Sequence, residues 1–301
     1  IVGKIHNATI SHSYNEAIVT CNFNGGGIAG LNAKSTIKYC YNKAKITNNG
    51  YRGQYEHKLT GLKVVLNRMG GICGAGLGVT ITGCYNLGEV DGESSARNTP
   101  LGSPTGGIIG FLVADTSWIE SNTYSLKYID VEIGYLEFVS TTNSISYCYN
   151  TGNIKGQYTA NVLSHDGLYY NGAIIGYLAI SINIHPETET NNGGTFISNY
   201  YLEGSSESGG GRNGKNENGM YQPLSSENLK KQLYIWATNT EGAGGIFNEE
   251  NNYMYCTTAP LEEDFGYYGY GILWWQLLDD YVKLQTYIAC LFLVRDREKL
   301  L

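Results

Sequence analysis

The sequence predicts an all-β fold: a right-handed parallel β-helix (β-solenoid) of imperfect repeats, closed by a small C-terminal unit. Three observations carry this expectation. A glycine phrase recurs as GGIAG (26–30), GGICG (70–74), GGIIG (106–110) and GAIIG (172–176). A second phrase alternates with it and keeps fixed internal offsets, as self-similar repeat architectures do. The composition, with 40 Gly, 26 Tyr, 5 Pro and 16% charged residues, suits short strands punctuated by turns and gives long helices little support.

The second phrase opens on an aliphatic residue, at Ile10, Ile37, Ile81, Ile145 and Ile197. Three positions on stand Ser13, Cys40, Cys84, Cys148 and Tyr200, and four on stand Tyr14, Tyr41, Tyr85, Tyr149 and Tyr201. The fifth offset holds Asn15, Asn42, Asn86, Asn150 and Leu202, and the seventh is small, at Ala17, Ala44, Gly88, Gly152 and Gly204. The ninth is Val19, Ile46, Val90 and Ile154, failing at Ser206. Each unit therefore yields three short β-prone runs, such as 27–31, 36–41 and 43–47, separated by Gly and Asn that accept the positive φ of tight turns. Residues 26–47, 22 in number, make about one coil. One coil cannot bury its apolar face alone, whereas stacked coils bury a continuous core.

Ile37 and Tyr41 share strand parity. Strict alternation sets Cys40 and Asn42 on the opposite face, and a bend between Ile37 and Cys40 reverses that; both arrangements fit the sequence. Asn at the fifth offset fits a ladder at a corner, its amide satisfying turn backbone. The seven cysteines are an odd number without a CxxC pair, and Cys40, Cys84 and Cys148 share one slot. They are expected to stay reduced and to pack as small hydrophobes.

Spacers interrupt the units. Relative to the 13 residues from Gly27 to Cys40, the stretch from Gly107 to Cys148 carries 28 extra, and that from Ala173 to Tyr200 carries 14. Further excursions lie at 48–69, 92–105 and 155–171, polar and Gly-containing, of the kind that leaves a solenoid on one side. The expected organisation is a solenoid over 1–204, a flexible linker over 205–219 and a closing unit over 220–276. A cap or extension follows over 277–301. In the closing unit, Ser225 or Ser226 caps a helix reaching about Gln232, with Glu227 in its first turn.

The matching phrases GGIAGLN (26–32), CYNKAKI (40–46), GGICG with CYNLGEV (84–90), and GGIIG with CYNTGNI (148–154) resemble the GLUG-repeat family. That family occurs in large bacterial surface proteins, including adhesin-like proteins and some IgA-specific metallopeptidases. It often closes with a short helix and a GYPxLxWQ-like strand. Residues 224–232 resemble that helix and GYGILWWQ (269–276) that strand, with Gly271 where Pro is usual. The resemblance covers about residues 8–276 and implies an extracellular or cell-surface location. Its bearing is on architecture, since such repeats travel with many activities.

Other classes find little support. A formal charge of −7 without a basic block argues against nucleic acid. The longest apolar run, 287–294, is far short of the roughly 20 residues of a membrane-spanning helix, so no membrane insertion by this stretch is expected. The chain begins at Ile1 inside a repeat and reads as a fragment, so a missing signal peptide says nothing about compartment. HExxH is absent, His6, His12, His57, His165 and His185 are scattered, and no cofactor motif is present, so no metal or cofactor is expected.

The expected function is non-catalytic: a repeat module of a secreted or cell-surface bacterial protein, serving as stalk or adhesive surface for a glycan or a host or matrix protein. The alternative is a carbohydrate-active β-helix enzyme, a polysaccharide lyase or hydrolase. It requires paired carboxylates, or a base with a cation, along one strand face, for which Asp115, Glu120, Asp130, Glu132 and Asp166 are the candidates. Because the core spends its Ile, Cys and Tyr on stacking, binding is expected in the excursions. Trp118, Tyr124, Tyr128 and Tyr135 are the candidate contact residues, and removal of about residues 113–140 is expected to abolish adhesion while leaving the solenoid folded.

Overall fold

The structure is a computed structural model. It describes residues 1–49, 54–56, 63–65, 68–92, 104–113, 142–156, 158–159, 168–169, 171–179, 194–212, 221–238, 255–256 and 272–273. The chain divides into two compact units, Ile1–Ser226 and Glu227–Leu301.

The first unit is a parallel β-helix, as the repeats predict, with five sides to each of its first four coils. The first side stacks Val2–His6, Ala29–Ala33, Cys73–Leu77, Ile109–Val113, Ile175–Ala179 and Gly210–Arg212. The second stacks Thr9–Ser11, Thr36–Lys38, Thr80–Thr82, Ser144–Ser146 and Thr195–Ile197. The third stacks Tyr14–Asn15, Tyr41–Asn42, Tyr85–Asn86, Tyr149–Asn150, Asn199–Leu202 and Tyr221–Leu224. Four strands each form the fourth side (Val19–Cys21, Ile46–Asn48, Val90–Asp91, Ile154–Lys155) and the fifth (Asn24–Gly26, Arg68–Gly70, Thr105–Gly106, Asn171–Gly172).

Register follows the sequence phrases: Ile10 pairs with Ile37, Ile37 with Ile81 and Ile81 with Ile145. The first coil takes 27 residues, from Asn15 to Asn42, the next two 44 and 64 because of inserts, and the last, from Tyr200 to Gln222, 22. The expected 22-residue coil was short because it omitted the fifth side.

The choice that alternation left open is settled by backbone conformation. The residue two places after each Ile sits at positive φ in His12 (50°), Tyr39 (56°), Gly83 (59°) and Tyr147 (55°). This left-handed residue turns the chain between the second and third sides, so Ile37, Ile81 and Ile145 share one buried cluster with Cys40, Cys84 and Cys148. The Cys slot also caps that bend. The thiols of Cys40, Cys84 and Cys148 donate to the carbonyls of Lys38, Thr82 and Ser146 at 3.3 Å, as Ser13 Oγ does to Ser11 at 2.9 Å.

Between Cys and Asn, the rings of Tyr14, Tyr41, Tyr85 and Tyr149 stack at 5.1, 5.1 and 4.9 Å. Asn42, Asn86 and Asn150 are fully buried. Each donates Nδ2 to the carbonyl two residues on, and Asn42 and Asn86 also donate to the Oδ1 of the next rung's Asn at 2.7 Å. The glycine phrase answers to this ladder. A Cβ on Gly71 would collide with Gly107 O and the Asn86 amide, and one on Gly30 with Asn24 O and Gly3 O. These glycines are there for close approach between backbones and ladder.

The fifth copy departs from the expected alignment by one residue. Phe196, not Ile197, pairs with Ile145; Tyr200 pairs with Tyr149, and Tyr201 with Asn150. Phe196 packs against the core, while Ile197 is 46% exposed. Asn199 takes the Cys slot, accepting from the Cys148 amide at 3.1 Å, and Ser205 Oγ ends the Asn ladder. The partly buried Phe196 thus takes the slot that Ile holds on the earlier rungs.

The solenoid also outruns its expected end at 204. Within the expected linker, Gly210–Arg212 adds a sixth strand to the first side, and Ala173 and Ile174 donate backbone bonds to Ser208 and Gly209. Tyr221–Leu224 pairs with Asn199–Leu202 on the third side, and Tyr221 is fully buried. The excursions leave at two corners rather than one. Those after 113 and 179 open between the first and second sides, and those after 49, 92 and 156 between the fourth and fifth. Two of the latter carry antiparallel pairs, Gln54–Glu56 with Lys63–Val65 and Tyr158–Thr159 with Leu168–Tyr169.

In the second unit the helix runs Ser226–Thr238, beyond the expected Gln232, with Glu227 in its first turn and Leu229 and Leu233 buried four residues apart. The expected GYGILWWQ strand contains Ile272–Leu273, antiparallel to Tyr255–Cys256. Residues 277–301 lie outside the described residues.

Candidate ligand-binding face

The second side reads TIS, TIK, TIT, SIS and TFI on successive rungs. Period-two alternation buries the middle residue, and Ile37, Ile81 and Ile145 are fully buried. The flanking residues of these three strands are half-buried. They form two outer columns, Thr9, Thr36, Thr80, Ser144, Thr195 and Ser11, Lys38, Thr82, Ser146, Ile197. Rungs repeat about every 4.8 Å and the two columns stand about 6.7 Å apart, so eight hydroxyls make a regular lattice. Neighbouring rungs are coupled where Ser146 Oγ donates to Thr82 Oγ1 at 3.0 Å.

Along one margin runs the left-handed corner, with the rings of His12, Tyr39 and Tyr147. His12 and Tyr39 lie 5.3 Å apart, and Lys38 Nζ stands 5.7 Å from the Tyr39 ring. Partial burial, then the Lys38 charge, lowers the His12 pKa; burial raises that of Tyr39. The strands and corners of this side (7–13, 34–40, 78–84, 142–148, 194–200) contain no Asp or Glu in a chain of net charge −7.

Along the other margin a shallow pocket of about 220 Å³ is lined by Lys34, Ser35, Thr36, Gly78, Thr80 and Thr142. Lys34, Gly78 and Thr142 are successive rungs of the corner that follows the first side. Thr142 is the first described residue after the longest excursion, and Asn143 stitches that excursion's mouth. Its Nδ2 donates to Val113 O at 2.7 Å, and its Oδ1 accepts from Val79 N–H at 3.0 Å.

The expected contact residues Trp118, Tyr124, Tyr128 and Tyr135 lie outside the described residues, as do Asp115, Glu120, Asp130, Glu132 and Asp166. In the sequence the hydroxyl columns are carried only by the T/S-I-T/S alternation of TIS, TIT and SIS, which Lys38 and the TFI rung interrupt, so the buried Ile is the stronger signal.

One carboxylate pair does share a strand face, Glu89 with Asp91 on the fourth side. Lys45 from the rung before bonds Glu89 and Asp91, each at 2.8 Å, and Lys155 from the rung after bonds Glu89 at 2.7 Å. These ammonium groups, Lys155 first, lower the Glu89 pKa, while Asp91 and then Glu89 raise that of Lys45. Both carboxylates are thus held as ion-pair partners of a surface ladder. Among the described residues no group of three His, Cys, Asp or Glu side chains is placed to hold a metal, and no helix is long and apolar enough to cross a membrane. Compared with known proteins, the chain matches no family model, no curated protein and no solved structure.

Proposed function

We propose that the protein is a non-catalytic repeat module of a secreted or cell-surface bacterial protein, and that it works as a stalk with an adhesive face for glycan. The observation that carries this reading is the second side: a regular, carboxylate-free array of hydroxyls, bordered by aromatic rings and by the pocket at the mouth of the longest excursion. Sugars are bound through hydroxyl networks and ring stacking, and the side offers both. The GLUG-like phrases belong to the same reading, since the glycines, Tyr and Asn they contain build the scaffold that holds the face flat. The enzymatic alternative keeps Asp115, Glu120, Asp130, Glu132 and Asp166, which lie outside the described residues, whereas the described pair Glu89 and Asp91 is occupied by Lys45 and Lys155.

The test is glycan-array and matrix-protein binding by three forms of the chain: wild type, a deletion of 114–141, and Thr36→Glu/Thr80→Glu. The deletion spares Val113, which is buried, and joins it to Thr142 and Asn143, matching the two-residue corners Lys34-Ser35 and Gly78-Val79. Retention of glycan in the wild type and its loss in the double variant is the expected result. Loss on deletion as well assigns the excursion a share of the contact. Equal binding by all three forms, or turnover of a polysaccharide by the wild type, overturns the reading.

A further inference from the structure

Cys40, Cys84 and Cys148 stand on three successive rungs in one slot, all fully buried. The Cys40 amide donates to Cys84 Sγ at 3.5 Å, so the column is in direct contact from rung to rung there. The residues that follow them, Tyr41, Tyr85 and Tyr149, pair in register. The Cα atoms of adjacent column members are therefore about 4.8 Å apart, inside the span of about 4.4–6.8 Å that a disulfide bridges. All three are free thiols in the structure, as are Cys21 and Cys73.

We propose that this column is a redox-responsive staple, in which oxidation joins Cys84 to either Cys40 or Cys148 and locks two neighbouring rungs together. Each bond forms when two thiols give up two protons and two electrons. A small disulfide oxidant such as glutathione disulfide takes them and leaves as two thiols; diamide takes them at its N=N bond and becomes a hydrazine. Cys84 is shared, so one bond excludes the other and one column thiol always remains. Bond formation draws two Cβ atoms in from rung spacing to about 3.8 Å, and such strained disulfides are the labile, regulatory kind rather than the permanent kind. Burial holds the Cys84 thiol protonated and out of reach of reagents, so oxidation follows transient opening of a rung. Reduction of the bond follows the same transient opening.

The experiment treats the full chain with diamide in sub-denaturing urea, then blocks remaining thiols and maps cross-linked peptides by mass. Column thiols are expected to fall from three to one per chain, with Cys40–Cys84 and Cys84–Cys148 bonds in separate molecules. Cys84→Ala should yield neither bond, Cys40→Ala only Cys84–Cys148, and Cys148→Ala only Cys40–Cys84. The last two keep the test alive if Cys84→Ala fails to fold. A Cys40–Cys148 bond, a bond from the column to Cys21 or Cys73, or a column that stays wholly reduced overturns the proposal.

Discussion

At the scale of single residues, the solenoid is held by side chains that bond along the stack rather than along the chain. Asn86 takes part in three bonds, accepting from Asn42 and donating to Gly88 O and Asn150 Oδ1, all out of solvent. Asn86→Ala leaves buried polar groups on two neighbouring rungs without partners, which costs about 1–3 kcal/mol for each such group. A drop in urea midpoint corresponding to at least about 2 kcal/mol is expected. Asn15→Ala, at the half-buried end of the same ladder, strands one such group, Asn42 Oδ1, and should cost about 1 kcal/mol. Equal losses for the two would mean that the ladder contributes no more than ordinary surface bonds. Gly71→Ala should prevent folding altogether, because its new methyl meets backbone and ladder, neither of which is free to yield. Soluble, cooperatively melting protein from that variant would show that the rungs are looser than drawn.

At the scale of elements, each side has its own chemistry, and the fourth side makes a pH prediction. The Lys45 and Lys155 ammonium groups lower the pKa of Glu89 in the fold. A carboxyl depressed on folding adds stability that is present above its unfolded pKa and lost as pH falls through the lower folded value. The ladder's contribution should therefore fade below about pH 4. Because these side chains are partly exposed, its size is only about 0.2–1 kcal/mol. Thermal melts of wild type and Glu89→Gln should differ by a degree or two at pH 7 and converge near pH 3; a constant gap would assign the difference to packing. The excursion over 114–141 is likewise a matter of elements. Asn143 already ties Val113 to the next strand, so its deletion should shift the urea midpoint little. Loss of cooperative unfolding in that deletion would make the segment part of the core.

For the whole first unit, stability is spread over nearest-neighbour rungs, so its ends decide where it can be cut. A chain ending at 204 lacks Gly210–Arg212 and Tyr221–Leu224, baring the strand Ile175–Ala179 and the side chains packed beside Tyr221. Exposed apolar strand edges aggregate. The 1–226 polypeptide is expected to stay soluble in size-exclusion chromatography while 1–204 does not. Two equally soluble products would mean that the last two strands add nothing.

The sequence by itself determined the parallel β-helix, because offsets repeated in Ile, Cys, Tyr and Asn can be satisfied together only by stacking identical slots. It also determined where the coils are interrupted and where the helix of the second unit begins. Only the tertiary structure decided which way the Cys and Asn slots face, because that depends on a positive φ at Tyr39 and Tyr147, residue types that do not announce a left-handed turn. Only the tertiary structure revealed the fifth side as well. Its strands, such as Arg68–Gly70 and Thr105–Gly106, share almost nothing but glycine, and they are held by the backbone of neighbouring rungs rather than by an apolar pattern. The one-residue shift at Phe196 and the strand Gly210–Arg212 followed the same rule. A large side chain found the interior, a glycine run found an open edge, and both outcomes were set by the rung already in place.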